Sequence, residues 1–148
     1  MTTSANKTFR PKKADITRNW YHIDAAGKVV GKVAVMVADL LRGKNKPYFV
    51  SNMDCGDFVI VTNLDQIVFT GKKETSKQYI SHSGYKGHLK AISPAELRVT
   101  GRTENILIEA VKGMIPRNKL RDPILEKLKL FTGPTHTHEA QKPVTIEV

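Results

Sequence analysis

Between Lys72 and Lys90 the chain sets five lysines (Lys72, Lys73, Lys77, Lys86, Lys90) among Tyr79, Tyr85, His82, His88 and the glycines Gly84 and Gly87. Ammonium groups neutralise phosphates, aromatic and imidazole rings stack on bases or hydrogen-bond to them, and glycine lets a backbone approach a sugar–phosphate chain. Related chemistry recurs at two further places. Arg42-Gly43-Lys44-Asn45-Lys46 closes a helical pattern with three cations, which complement the negative end of the helix dipole or face a phosphate backbone. Lys112, Arg117, Lys119 and Arg121 surround Pro116, a basic helix break of a shape suited to an RNA groove. His136, His138 and Gln141 add hydrogen-bonding groups near the C-terminus.

Other chemistries fit the pattern less well. On a strand, His136 and His138 would share a face and could chelate zinc, recruiting His82, His88, Asp54 or Asp57, but no sharp third ligand is supplied. Asp54-Cys55-Gly56-Asp57 offers a carboxylate pair or a thiol nucleophile. Asp and Gly ahead of a strand read more simply as a turn, and no histidine is fixed beside Cys55. Gly71-Lys72 is no phosphate-cradling Walker loop, because Gln66 stands where its first glycine would be required. Gly27 and Gly31 are spaced G-x-x-x-G rather than G-x-G-x-x-G, so a dinucleotide site is disfavoured.

The charge is unevenly distributed. The chain has 148 residues, 24 Lys plus Arg, 14 Asp plus Glu and a formal net charge of +10. Residues 1–19 carry five basic groups and one acidic group, residues 20–70 five of each, residues 71–100 six against two, and residues 101–148 eight against six. A neutral, β-branched centre thus carries basic segments, which points to a polyanionic partner. The single cysteine, Cys55, excludes an intrachain disulfide. The longest apolar run, Val33 to Ala38, is six residues, against the roughly 20 of a membrane span. With no apolar leader after the start, a soluble intracellular protein is predicted.

These groups must be positioned by a scaffold, and the periodicities outline one. Residues 1–19 lack periodicity and read as a flexible basic arm, followed by a single domain over 20–143 and a C-terminal tail, 144–148. Trp20 to Asp24 reads as a strand. From Gly31 to Arg42, Val33, Val37 and Leu41 recur every fourth position as in an amphipathic helix, stopped by Gly43. Asp57 to Asn63 contains an apolar run typical of a strand covered on both faces, and Gln66 to Thr70 reads as a third strand. Residues 71–92 show neither period and read as a long functional loop. Ser93-Pro94-Ala95-Glu96 is a strong helix start. A further helix runs from Thr103 to Lys112, Pro123 opens a short one, and Lys129 to Phe131 reads as a last strand. Alternating strands and helices predict an α/β fold, a three-layer α/β/α sandwich around a small, mainly parallel sheet with basic loops.

Together the blocks resemble a known family. Trp20-Tyr21-His22-Ile23-Asp24-Ala25, Gly31-Lys32-Val33-Ala34, Leu41-Arg42-Gly43-Lys44 and Asp54-Cys55-Gly56-Asp57 are similar to the L-thirteen family of large-subunit ribosomal proteins, in order and spacing. So are Thr70-Gly71-Lys72-Lys73, Lys77-x-Tyr79, His82-x-Gly84-Tyr85, Ala110 to Pro116, Leu128-Lys129 and His136-x-His138-x-Ala140-Gln141-x-Pro143. Lys32, Cys55, Arg121 and Thr137 depart from the usual pattern. The resemblance implies a non-catalytic constituent of a bacterial-type or organellar large subunit that needs no cofactor or small-molecule substrate. It would bind large-subunit rRNA early in assembly, beside neighbouring ribosomal proteins and away from membranes. Lys72, Lys73, Lys77, Lys86 and Lys90 would be phosphate contacts, with Tyr79, His82 and Tyr85 on nucleotides. A metal-dependent nuclease and a regulatory RNA-binding protein outside the ribosome are the alternatives.

Overall fold

A computed structural model of the protein describes residues 11–148; the part of the basic arm over residues 1–10 lies outside the described residues. Four parallel strands form the main sheet in the order β5-β2-β1-β6. They are β1 (Trp20–Asp24), β2 (Phe58–Thr62), β5 (Leu128–Leu130) and β6 (Val144–Ile146). In register, Ile23 lies beside Val61 and Tyr21 beside Val59. Central parallel strands need cover on both faces, and Val59 to Thr62 are all buried. The α/β architecture with a parallel sheet is as the sequence predicts.

Helix α1 (Val30–Arg42) carries the intervening crossover and buries Val30, Val33, Ala34, Val37, Ala38, Leu40 and Leu41. Gly43 ends it in the left-handed region, φ 73°, donating its N–H to the carbonyls of Asp39 and Leu40. Helix α4 (Glu104–Met114) packs against α1 and contributes Ile106, Leu107 and Val111 to the same core. Full burial of side chains of this size stabilises by about 1.5–3 kcal/mol each. The opposite face of the sheet is layered differently. There Trp20 stacks on Phe58 with ring centroids 4.4 Å apart, and Phe131, His136 and His138 lie against them.

Several elements differ from the reading of the sequence. Gln66 to Thr70 is not a strand: Leu64–Gln66 is a 3₁₀ turn, and Val68 makes only an isolated bridge to Val29. Both neighbours of β1 are already supplied by β2 and β6, so this segment instead bonds the loop before α1, Val30 N–H to Val68 O and Val68 N–H to Lys28 O. Residues 71–92 are not one loop. They contain a helical turn, α2 (Lys73–Ser76), and an antiparallel hairpin, β3 (Tyr79–His82) with β4 (Leu89–Ile92). Helix α3 (Pro94–Val99) follows, with the reciprocal capping of Ser93 and Glu96 that the sequence predicts. Helix α5 (Arg121–Leu125) starts two residues before Pro123, where proline's missing N–H would be unbonded in any case. Beyond the expected domain limit at residue 143, β6 pairs with β1, and Lys28 Nζ donates to the Val148 carbonyl at 3.0 Å.

The end of α1 and the entry to β2 meet with their backbones in contact. A Cβ on Gly56 would lie 1.7 Å from the Leu41 carbonyl oxygen, and one on Gly43 2.7 Å from that of Cys55. Lys127, buried, donates to Leu41 O at 3.2 Å and pairs with Asp54. Gly56→Ala is therefore expected to lower stability by about 3 kcal/mol or more, because backbone must move to admit the methyl group. The urea unfolding midpoint measures this; an unchanged midpoint would show that the junction opens freely.

Candidate nucleic-acid interface

The hairpin arm is held at its base and open at its tip. Arg98 of α3 reaches back to α2 and the preceding turn, donating to Glu74 at 2.7 Å, to Asp65 O at 2.6 Å and to Ile67 O. Tyr79 and Ile92, opposite one another in the hairpin, pack against the core. The Tyr79 hydroxyl is buried with no hydrogen-bond partner among the described residues. Its pKa is raised by that burial and by the charges of Glu109 and Glu74. Tyr79 thus anchors the arm, with Lys77 Nζ 4.9 Å from its ring centroid. Beyond it every residue from Ile80 to Lys90 is exposed, Tyr85 at 74%. Gly84 and Gly87 turn the tip with positive φ, and the Gly84 N–H donates to His82 Nδ1 at 2.9 Å. Lys72, Lys73, Lys77, Lys86 and Lys90 have no acidic partner within ion-pair distance among the described residues.

The other cations divide into internal and outward groups. Lys46 is internal: its Nζ lies 2.6 Å from Asp57 and donates to Thr17 O at 2.7 Å, its side chain only 12% exposed. It is expected from the sequence as a surface contact, and the structure uses it to neutralise a buried carboxylate. Arg121 is also engaged, donating to Lys112 O at the end of α4 at 2.8 Å. Lys44 pairs with Asp39 at 2.8 Å and Lys112 with Glu109 at 3.6 Å, all four roughly half exposed or less. Pairs of this kind contribute little and are readily exchanged for a phosphate. Arg117 and Lys119 are exposed without an acidic partner among the described residues. Arg42 lies over the Phe49 ring at 5.6 Å, and the same two residues line a small cavity with Pro116, Asn118 and Leu120. The α1 corner and the basic turn are therefore side by side.

His136 and His138 do not join the arm. They are half-buried on the aromatic face of the sheet, His136 5.3 Å from His22 and His138 5.3 Å from Trp20, centroid to centroid. The His138 N–H donates to His136 Nδ1 at 3.2 Å, so their first effect is to shape this segment; Gln141 is exposed beside them. Among the described residues no group of three or more His, Cys, Asp or Glu is placed to hold a metal ion. Asp54 and Asp57 are paired with Lys127 and Lys46, and Cys55 is fully buried. The sequence reading missed Arg98, Lys127 and the platform of Trp20, Phe58 and Phe131. The alternation of Trp20 and His22 with Phe58 and Ile60 carried the only signal for that platform.

What results is an α/β scaffold that neutralises its buried carboxylates internally and presents unpaired lysines and rings on a protruding hairpin, the class of basic protein that meets a polyanion. A family model described as Ribosomal protein L13 matches residues 18–137. A large ribosomal subunit protein uL13 of Oleidesulfovibrio alaskensis is 47% identical over 142 residues, 96% of this chain and 98% of that relative. That of Symbiobacterium thermophilum is 48% identical over 143 residues, 97% and 99% of the two chains, and that of Akkermansia muciniphila 49% over 140 residues, 95% and 98%. The chain belongs to this ribosomal protein family.

The aromatic face generates a pH dependence. His22 bonds Thr62 Oγ1 through Nε2 at 2.9 Å, and its pKa is lowered by burial and by His136, against a smaller upward effect of Asp24. The folded state therefore holds this proton less well than the unfolded chain, whose histidine titrates near 6.5. Stability is full above about pH 6.5 and falls as pH drops through that value toward the lowered one. Thermal melts from pH 7.5 to 5 are expected to show a declining Tm, and His22→Gln a shallower decline; equal slopes would assign the effect to other groups.

Proposed function

We propose that this chain is a structural, non-catalytic constituent of the large ribosomal subunit that binds large-subunit rRNA through the hairpin arm and the basic turn and helps early subunit assembly. The observation that carries the reading is the set of five unpaired lysines on the exposed arm. The protein invests buried ion pairs in Asp54 and Asp57, yet leaves Lys72, Lys73, Lys86 and Lys90 exposed, and Lys77 half-buried over the Tyr79 and Phe69 rings, with no acidic partner among the described residues. Its relatives are named as large ribosomal subunit proteins. The partners are the rRNA and neighbouring proteins of the subunit. No described helix is long and apolar enough to cross a membrane, and the cytoplasm is the proposed location, with an organellar ribosome as the variant of the same reading. The rRNA-binding domain spans residues 20–148, since β6 completes its sheet, and residues 1–19 add a basic segment ahead of it.

Within that reading Lys72, Lys73, Lys77, Lys86, Lys90, Arg117 and Lys119 are the phosphate contacts, Arg42, Lys44 and Lys112 support them, and His82 and Tyr85 meet nucleotides. Lys72→Ala with Lys73→Ala removes two exposed cations without touching the core. The double variant is expected to bind a large-subunit rRNA fragment more weakly at every sequence tested and to lower the slope of log K against log salt by about 2. Its circular dichroism and melting temperature are expected to match the parent. An unaltered salt slope would remove these lysines from the interface.

A further inference from the structure

Beside β5 lies an open groove of about 450 Å³ that the RNA-binding surface does not include. Its floor is apolar, made by Ile108, Leu125, Leu128 and Leu130, and its rim carries Glu104, Asp122 and Glu126 against the single cation Lys129. None of the three carboxylates is ion-paired with a described residue. On a chain of net charge +10, this is a local reversal of sign, and it repels phosphate. The strand beside it is an open edge. β5 pairs with β2 alone; Val59 N–H donates to Lys127 O and Phe131 N–H to Val61 O. In a parallel ladder backbone groups alternate in direction, so the N–H and C=O groups of Leu128 and Leu130 point away from β2, and neither residue's backbone has another hydrogen-bond partner among the described residues.

We propose that this groove receives an extended, basic segment of another protein, which adds to β5 as a further strand. Main-chain bonds to Leu128 and Leu130 would supply affinity, alternate apolar side chains would enter the floor, and Lys or Arg in between would meet the acidic rim. Charge selects the occupant: the apolar floor and free edge would suit many chains, but the three carboxylates admit a cationic one and exclude RNA. The inference goes beyond the ribosomal role and does not depend on it.

The test uses the full-length protein, isotope-labelled, and a nine-residue peptide alternating lysine with valine. Binding is expected to shift the Leu128 and Leu130 amide resonances and slow their hydrogen exchange. Glu104→Gln with Glu126→Gln, both at exposed positions, is expected to weaken the peptide about tenfold, and the same peptide with glutamate for lysine is expected not to bind. Shifts confined to other surfaces, affinity indifferent to the two substitutions, or self-association through this edge in place of peptide binding would each overturn the proposal. The same variant is expected to retain its affinity for the rRNA fragment, so failure here and failure of the RNA-binding reading are separately visible.

Discussion

The contact on which the rest depends is the one between two stretches of backbone, Leu41 to Gly43 leaving α1 and Cys55 to Asp57 entering β2. Side chains cannot fill this gap because no side chain fits: the position of a Cβ on Gly56 is already occupied by the Leu41 carbonyl. Bringing two polar backbones together away from water requires their groups to be bonded. Asp57 N–H donates to Leu40 O, and Lys127, at the entry to β5, donates to Leu41 O and pairs with Asp54. Burial pulls the Lys127 pKa down, while the hydrogen bond and charge of Asp54 push it back up. The ammonium is kept because its removal would leave both a carbonyl and a carboxylate without their partner. One lysine thus fixes how α1, β2 and β5 meet.

That arrangement decides which charges are available to the outside. Asp57 accepts from Asn19 N–H at 2.8 Å and pairs with Lys46, so one carboxylate ties the entry to β2 both to the residue before β1 and to the loop that follows α1. With Asp54 and Asp57 engaged internally, the neutral middle of the sequence is neutral in space as well, and the excess positive charge lies on the elements that leave it. A chain with the same composition but exposed aspartates near the arm would have had its lysines neutralised in cis. The internal pairing of acids and the outward freedom of cations are two consequences of one layout.

Elements with a strong period and a buried face were legible from the residues: α1 from Val33, Val37 and Leu41, β2 from its apolar run, and α3 from Ser93 and Glu96. The hairpin was not, because Ile80, His82, Leu89 and Ala91 form its solvent face and only Tyr79 and Ile92 touch the core, leaving too short an alternation to register. Val68 and Phe69 gave a false strand since local pattern carries no information about which backbone lies within reach, here the loop before α1 through Lys28 and Val30. The site divided in the same way. The lysines of the arm stand out in the sequence as a dense basic cluster, and in the structure none of them has an acidic partner among the described residues. Lys46 and Arg121 are engaged within the chain, which the sequence does not reveal because whether a cation is free depends on an acid or a carbonyl elsewhere in the fold, Asp57 in one case and Lys112 in the other. Lys127 was invisible for the same reason: its partners are 73 and 86 residues distant.

An isolated two-stranded hairpin is marginal in water, so the order of the arm must be imported through its base. Tyr79 and Ile92 seat it on the core, and Arg98 braces the helical turn before it through Glu74 and two backbone carbonyls. Toward the tip these restraints end, and Ile80 and Leu89 are each 64% exposed, an apolar surface that water disfavours. The arm therefore combines a fixed point of departure with a tip whose best contacts are not in this chain. Charge alone can satisfy its lysines, but only a surface with apolar or ring groups of its own can cover Ile80, Tyr85 and Leu89 and recover that apolar cost. Electrostatics alone would have been served by lysines on a polar loop. The apolar face requires close contact, so the arm is built to be enclosed by its partner and not merely attracted to it.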